Sequence, residues 1–259
     1  MGALATGVVG AGAGALWWFW PPRAIDGLVS GPPPEWASLQ RQRQLWERDG
    51  VRRQPSHEYR RWSNLGVTLP HAVLVGEDIN FFGHGGVDPA ALREVLREWH
   101  QGRRLRGGST ISQQLAKVLF LSPERSIWRK AREARLAWWL ERRLGKVRIL
   151  ELYLNVVEFG PGVFGAEAAS RRYYGVSAAA LDAAQAAGLA AAIPSPGRDN
   201  PATATPRWNF RRKLIMDRMA KSSWLARQIG KLSSPSQSSE GNVPGDDSEP
   251  ALVNTGGYL

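Results

Sequence analysis

The sequence predicts a mostly α-helical chain preceded by a single membrane-spanning helix, and three observations carry that prediction. Residues 2–20, GALATGVVGAGAGALWWFW, hold no charged side chain. The central third places apolar residues at helical spacing, not in strand-like alternation. Its segments begin at Ser, Thr or Pro and stop at Gly, which are helix punctuation. Length and a 43% hydrophobic composition allow a sizeable core in 259 residues. Zero cysteines exclude a disulfide framework and a zinc-thiolate site.

The first element is the uncharged one. At about 1.5 Å per residue, residues 2–20 just cross a hydrocarbon layer as a helix. Trp17, Trp18 and Trp20 then sit where an interfacial belt belongs, with Pro21 and Pro22 as a stop. A cleaved signal peptide and a Gly/Ala-rich leader are the other readings, but the basic start of a signal peptide is missing. The positive-inside rule opposes an external body, since Arg23 and later arginines follow the span and none precede it. Residues 1–22 are therefore assigned to an anchor and 23–64 to a linker with a short polar helix. Residues 65–222 form the main domain. Residues 223–259 are expected to be mostly disordered, because SSPSQSSEGNVPGDDSEP cannot repay the entropy of ordering.

LPHAVLVGED, residues 69–78, starts with Pro70 in its first turn and ends at two acids. A helix C-terminus disfavours negative charge, so Glu77 and Asp78 pose a local conflict of the kind that collects at functional sites. The stretch runs on as EDINFFGHGGVD, residues 77–88, where apolar aromatics beside Glu77 could raise its proton affinity by burial. Asp88 before Pro89 reads as an ordinary N-cap.

GGSTISQQLAKVLFL, residues 107–121, matches a capping box at Thr110 and Gln113. Ile111, Leu115, Val118 and Leu119 share an apolar arc, leaving Thr110, Gln113, Gln114 and Lys117 opposite. Ser122-Pro123-Glu124 reads as the next helix start. Arg125, Arg129 and Glu133 then fall on one face, Ile127, Ala131, Ala134 and Trp138 on the other, and Gly145 closes the helix as an αL cap. Between Arg93 and Arg148 fifteen lysines and arginines face five acids, which is nearly all of the formal +11. A field so local calls for an anionic partner.

The chain resembles the glycosyltransferase family 51 peptidoglycan polymerases, in particular the monofunctional biosynthetic transglycosylases. EDINFFGHGGVD is similar to the family's first motif, EDxxFxxHxG, and GGSTISQQLAK to its second, GGSTIxQQLxKN, with Val118 where the family usually has Asn. RKARE (129–133) resembles the third, ILELYLN with EFGPGVFGAEAA (149–169) the fourth, and RRKLIMDRM (211–219) looks like a looser form of the last, RxxxVLxxM. The resemblance covers roughly residues 65–220, with the motifs in order.

What the resemblance implies is specific. The fold would be a lysozyme-like two-lobed glycosyltransferase domain with the groove between its lobes. The substrates would be lipid II, a disaccharide-pentapeptide on a polyprenyl diphosphate, and the growing glycan chain. Glu77 would be the base on the acceptor 4-hydroxyl. Lys117, Arg125 and Lys130 would receive the departing diphosphate. Glu133 would be a second acid, orienting those cations or holding a divalent ion (Mg or Mn); no cofactor would otherwise be required. Ser109, Thr110, Gln113 and Gln114 would line the groove, with Asp78, His84 and Asn155 as structural support. The catalytic domain would stand on the periplasmic side of the inner membrane as a single-pass protein, against membrane lipid and beside other cell-wall synthesis proteins. The sequence has no SxxK and no KTG triplet, so no transpeptidase partner domain is expected. Three rivals stand beside it: a lytic enzyme, which needs no diphosphate clamp; a basic nucleic-acid binder, which leaves the uncharged N-terminal segment and GGSTISQQ unexplained; and a catalytically dead membrane scaffold.

Overall fold

The computed structural model describes residues 22–89, 93, 108–124 and 126–233. The predicted span at 2–20 and the end of the chain from 234 lie outside these residues. Among the described residues no helix is long and apolar enough to cross a membrane.

The described chain is mostly helical. Eight α-helices occur: α1 (Ala37–Arg48), α2 (Thr68–Glu77), α3 (Ile111–Phe120), α4 (Ile127–Val156), α5 (Ala166–Tyr174), α6 (Ala183–Ala192), α7 (Pro206–Lys221) and α8 (Ser223–Ser233). A small sheet of β1 (Ser56–His57), β2 (Glu158–Gly160) and β3 (Val163–Phe164) has the order β1-β3-β2. β3 runs parallel to β1, with Ser56 opposite Val163, and antiparallel to β2, with Glu158 opposite Phe164.

One apolar cluster runs through the whole described chain, and α2 sits inside it. Every residue from Leu69 to Val75 is buried, including His71, so this helix is covered on all sides. It packs on α6 and α7. The alanine-rich α6 allows that close approach, and Trp208 of α7 donates its indole N–H to the Gly188 carbonyl at 2.8 Å. Both helices begin as their sequences dictate: Asp182 and Gln185 close a capping box, and Thr205 caps α7 ahead of Pro206.

Five sequence expectations are corrected. The stretch 23–64 is more than a linker: Ile25, Leu28, Trp36, Leu39 and Trp62 are core residues, and Arg148 donates to the Leu28 carbonyl at 2.8 Å. Isolated apolar anchors of this kind have no period to detect. The second long helix starts at Ile127, not after Ser122, because Ser126 takes the cap by accepting the Arg129 N–H at 3.0 Å. The expected faces also fail at two residues, with Ile127 88% exposed and Glu133 2% exposed. Gly145 does break α4, but at φ 70°, ψ 164°, a glycine-only conformation distinct from an αL cap. At the other end, α8 carries ordered helix eleven residues into the stretch read as tail, burying Leu225 and Ile229.

Gly165 shows how tightly the turn before α5 is held. Its φ is +84°, and a Cβ there would sit 2.6 Å from the Asn155 carbonyl oxygen. Gly165→Ala is expected to cost about 3 kcal/mol, since both the backbone conformation and the contact oppose a side chain. Urea unfolding checks it, with Gly27→Ala, where nothing lies within 4 Å, as the near-neutral control.

Candidate active site

The C-terminus of α2 delivers Glu77 and Asp78 to the start of α3, and each acid has a separate task. Asp78 is buried and tied down: it accepts from His84 Nε2 at 3.0 Å and from the Ile111 backbone N–H at 2.9 Å. It thus links the Phe81–Gly83 turn and its following loop to the first turn of α3, where the helix dipole favours a carboxylate. Thr110 and Gln113 form the capping box, and the Thr110 hydroxyl donates to the Gly86 carbonyl at 2.5 Å. Both are almost fully buried, and the cap takes the Thr110 hydroxyl and the Gln113 carbonyl oxygen.

Glu77 is held differently. Its Oε2 accepts from Gln114 Nε2 at 2.9 Å and its Oε1 from the Arg211 guanidinium at 2.5 Å, while its side chain is 10% exposed. Burial raises its proton affinity above the usual carboxylate range, against the opposing pull of Arg211 and the Gln114 hydrogen bond. Arg211 also donates to the Gly76 carbonyl at 3.0 Å, so one guanidinium caps the helix end and balances the acid placed there. The conflict between Glu77 and the helix dipole is resolved by a residue from α7. Gln114 is aimed from behind: the fully buried Tyr153 hydroxyl donates to its Oε1 at 2.8 Å, leaving the amide N–H₂ for Glu77.

A second polar group adjoins this one through Ser109. Gln114 Nε2 lies 3.5 Å from the Ser109 carbonyl, and the Ser109 hydroxyl accepts from Lys130 Nζ at 2.8 Å. Glu133 binds Lys130 with one oxygen and Arg129 with the other, the latter at 2.6 Å. A buried carboxylate held between two cations keeps both aimed, and losing it would leave two like charges adjacent. Lys117 stands exposed three residues along α3 from Gln114. Arg125 lies outside the described residues.

The expected site residues therefore fall into one connected set, Glu77, Gln114, Ser109, Lys130 and Glu133, with Asp78, His84, Thr110 and Gln113 fixing its backbone. Asn155 is not among them. It is buried on α4 and holds the Arg60 backbone at both N–H (2.7 Å) and carbonyl (2.8 Å). A divalent ion at Glu133 does not fit the described residues: both its oxygens are taken by cations, and no cluster of three or more metal-ligating side chains occurs among them. Arg211 and Tyr153 were missed as site residues. Arg211 carried a signal, being the first position of the RRKLIMDRM segment.

The Transglycosylase family matches residues 44–220, well over half of the chain. The chain belongs to that family. The biosynthetic peptidoglycan transglycosylase of Methylobacillus flagellatus is 44% identical over 182 residues, 70% of this chain and 80% of the relative. Those of Bordetella avium (47% over 171 residues, 64% and 71%) and Herminiimonas arsenicoxydans (41% over 196 residues, 75% and 85%) are similar. In this transglycosylase the match begins within α1, consistent with the packing of that helix into the core.

Proposed function

We propose that this transglycosylase polymerises lipid II into β-1,4 glycan strands, releasing polyprenyl diphosphate in a single inverting displacement. The carrying observation is Glu77, a carboxyl with raised proton affinity, coupled through Gln114 and Ser109 to the cation Lys130. As base, Glu77 takes the proton of the acceptor hydroxyl while that oxygen bonds to the donor carbon. The bond from that carbon to the diphosphate oxygen breaks, and its electron pair leaves with the diphosphate. A carboxyl whose proton affinity is raised suits this proton transfer better than an ordinary one. Fixed cations suit a leaving group that gains negative charge, and Lys117 and Lys130 supply them from α3 and α4. Glu133 keeps Lys130 in place.

The finer placement belongs to the same proposal. The groove runs between two lobes, and the chain is a single-pass inner-membrane protein with its catalytic domain on the periplasmic side. Support comes from exposed apolar side chains, Ile127 at 88%, Trp128 at 82% and Phe210 at 72%, amid arginines that suit a lipid headgroup surface. The test is purified full-length chain supplied with labelled lipid II. Penicillin-resistant polymer is the expected product; shortening of pre-formed glycan would instead mean a lytic enzyme, and no product would sink the reading.

A further inference from the structure

Beside the Glu77 site, on the next face of α7, lies a hollow with a different chemistry. Arg211 faces Glu77, and its neighbour Arg212, about 100° around the helix, faces the hollow together with Arg172 from α5. Neither Arg172 nor Arg212 has an ion pair or hydrogen bond among the described residues; Arg212 instead lies over the Trp208 ring, 5.6 Å from its centroid. Tyr174 adds a hydroxyl without a hydrogen-bond partner among them, packed so closely that a Cβ on Gly188 would sit 2.4 Å from it. Burial pushes that phenol up to about 12, so it remains a donor throughout the working range of pH. Gln185 spends its carbonyl oxygen on the helix cap and keeps its N–H₂ group for another acceptor. The opposing charge is Asp182, exposed and accepting the Gln185 N–H at 2.8 Å.

The donors therefore converge with no acceptor of their own, and two guanidiniums outweigh one exposed acid. Such an arrangement takes an anion, and a planar fork pairs bidentately with a carboxylate or a phosphate. The rest of the wall narrows the choice. Ala184, Pro201 and Ala202 are small and apolar, and Trp208 shares the lining with them, so the group attached to the anion is itself small and apolar. A bare phosphate would set charged oxygens against those carbons.

We infer that the Arg172–Arg212 hollow is a binding site for the terminal carboxylate of a short peptide with small side chains. Under the function proposed above, that terminus belongs to the peptide arm of the sugar substrate, but the site itself does not depend on that reading. The test is calorimetry on the full chain with N-acetyl-alanyl-alanine and with its C-terminal amide. The free acid should bind saturably and the amide should not. Arg212→Gln or Arg172→Gln should each weaken binding about tenfold, as loss of a charge-assisted hydrogen bond requires. Far-ultraviolet circular dichroism keeps a misfolded variant from counting as support, and Tyr174→Phe, which removes only a hydroxyl, supplies a milder second variant that should also weaken binding. Equal binding of acid and amide, or unchanged binding in the Arg172→Gln/Arg212→Gln double variant, would overturn the inference. So would inorganic phosphate binding as tightly as the peptide. No turnover is measured, so failure here leaves polymerisation standing, and failure of polymerisation leaves this site standing.

Discussion

Glu77→Gln is expected to lower polymerisation of labelled lipid II by about 10²- to 10⁴-fold, the usual share of a general base, while substrate binding persists. The substitution keeps the shape and can still accept from Arg211 on its amide oxygen, while its N–H₂ replaces the oxygen that took the Gln114 N–H, so the Gln114 amide must turn to keep a partner. Stability should move the other way with pH. The folded chain holds the Glu77 proton more tightly than the ordinary value of 4.5, so protonation of this group stabilises the fold at low pH. That contribution is lost as pH rises through the folded-state value. Against the pH-blind Gln variant, the wild type should therefore lose relative stability from about pH 4.5 upward. Thermal unfolding at several pH values checks this. A variant that polymerises at near wild-type rate would move the base elsewhere, and one that unfolds at neutral pH would show that Glu77 is structural.

How much of this was legible depended on how local each interaction is. The capping box at Thr110 and Gln113 closes within three residues, and the apolar arc of Ile111, Leu115 and Leu119 follows the helix period, so both were visible in the sequence. The sequence does not say which way such residues face: a polar stripe looks the same whether it faces solvent or completes a cap. Glu133 was read into an Arg/Glu ladder, which is normally solvated, and only tertiary packing shows it buried between Arg129 and Lys130. The strands β1 and β3 are two residues each, too short for any alternation to register. The Arg211 contact is the extreme case, joining positions 134 residues apart. No propensity or period encodes such a pair.

Arg211→Gln should change the pH dependence of the reaction more than its ceiling. The wild-type acid limb is set by Glu77, which must be ionised to take a proton, and Arg211 is the strongest influence holding that proton affinity down. Removing the guanidinium leaves burial opposed by Gln114 alone, so the acid limb should move to higher pH. On the acid side the variant should lose turnover because less Glu77 is ionised there, and it should recover that turnover as pH rises. Arg211→Lys separates charge from geometry. Both contacts leave one guanidinium nitrogen, so a lysine ammonium keeps the charge that opposes burial but, on a shorter side chain, stands farther from Glu77, and its acid limb should fall between wild type and Gln. Turnover profiles at saturating lipid II, from pH 5 to about 9, distinguish this from simple loss of substrate binding, which would raise KM and leave the position of the limb unchanged. An unshifted limb in Arg211→Gln would mean that Arg211 serves the end of α2 and not the acidity of Glu77.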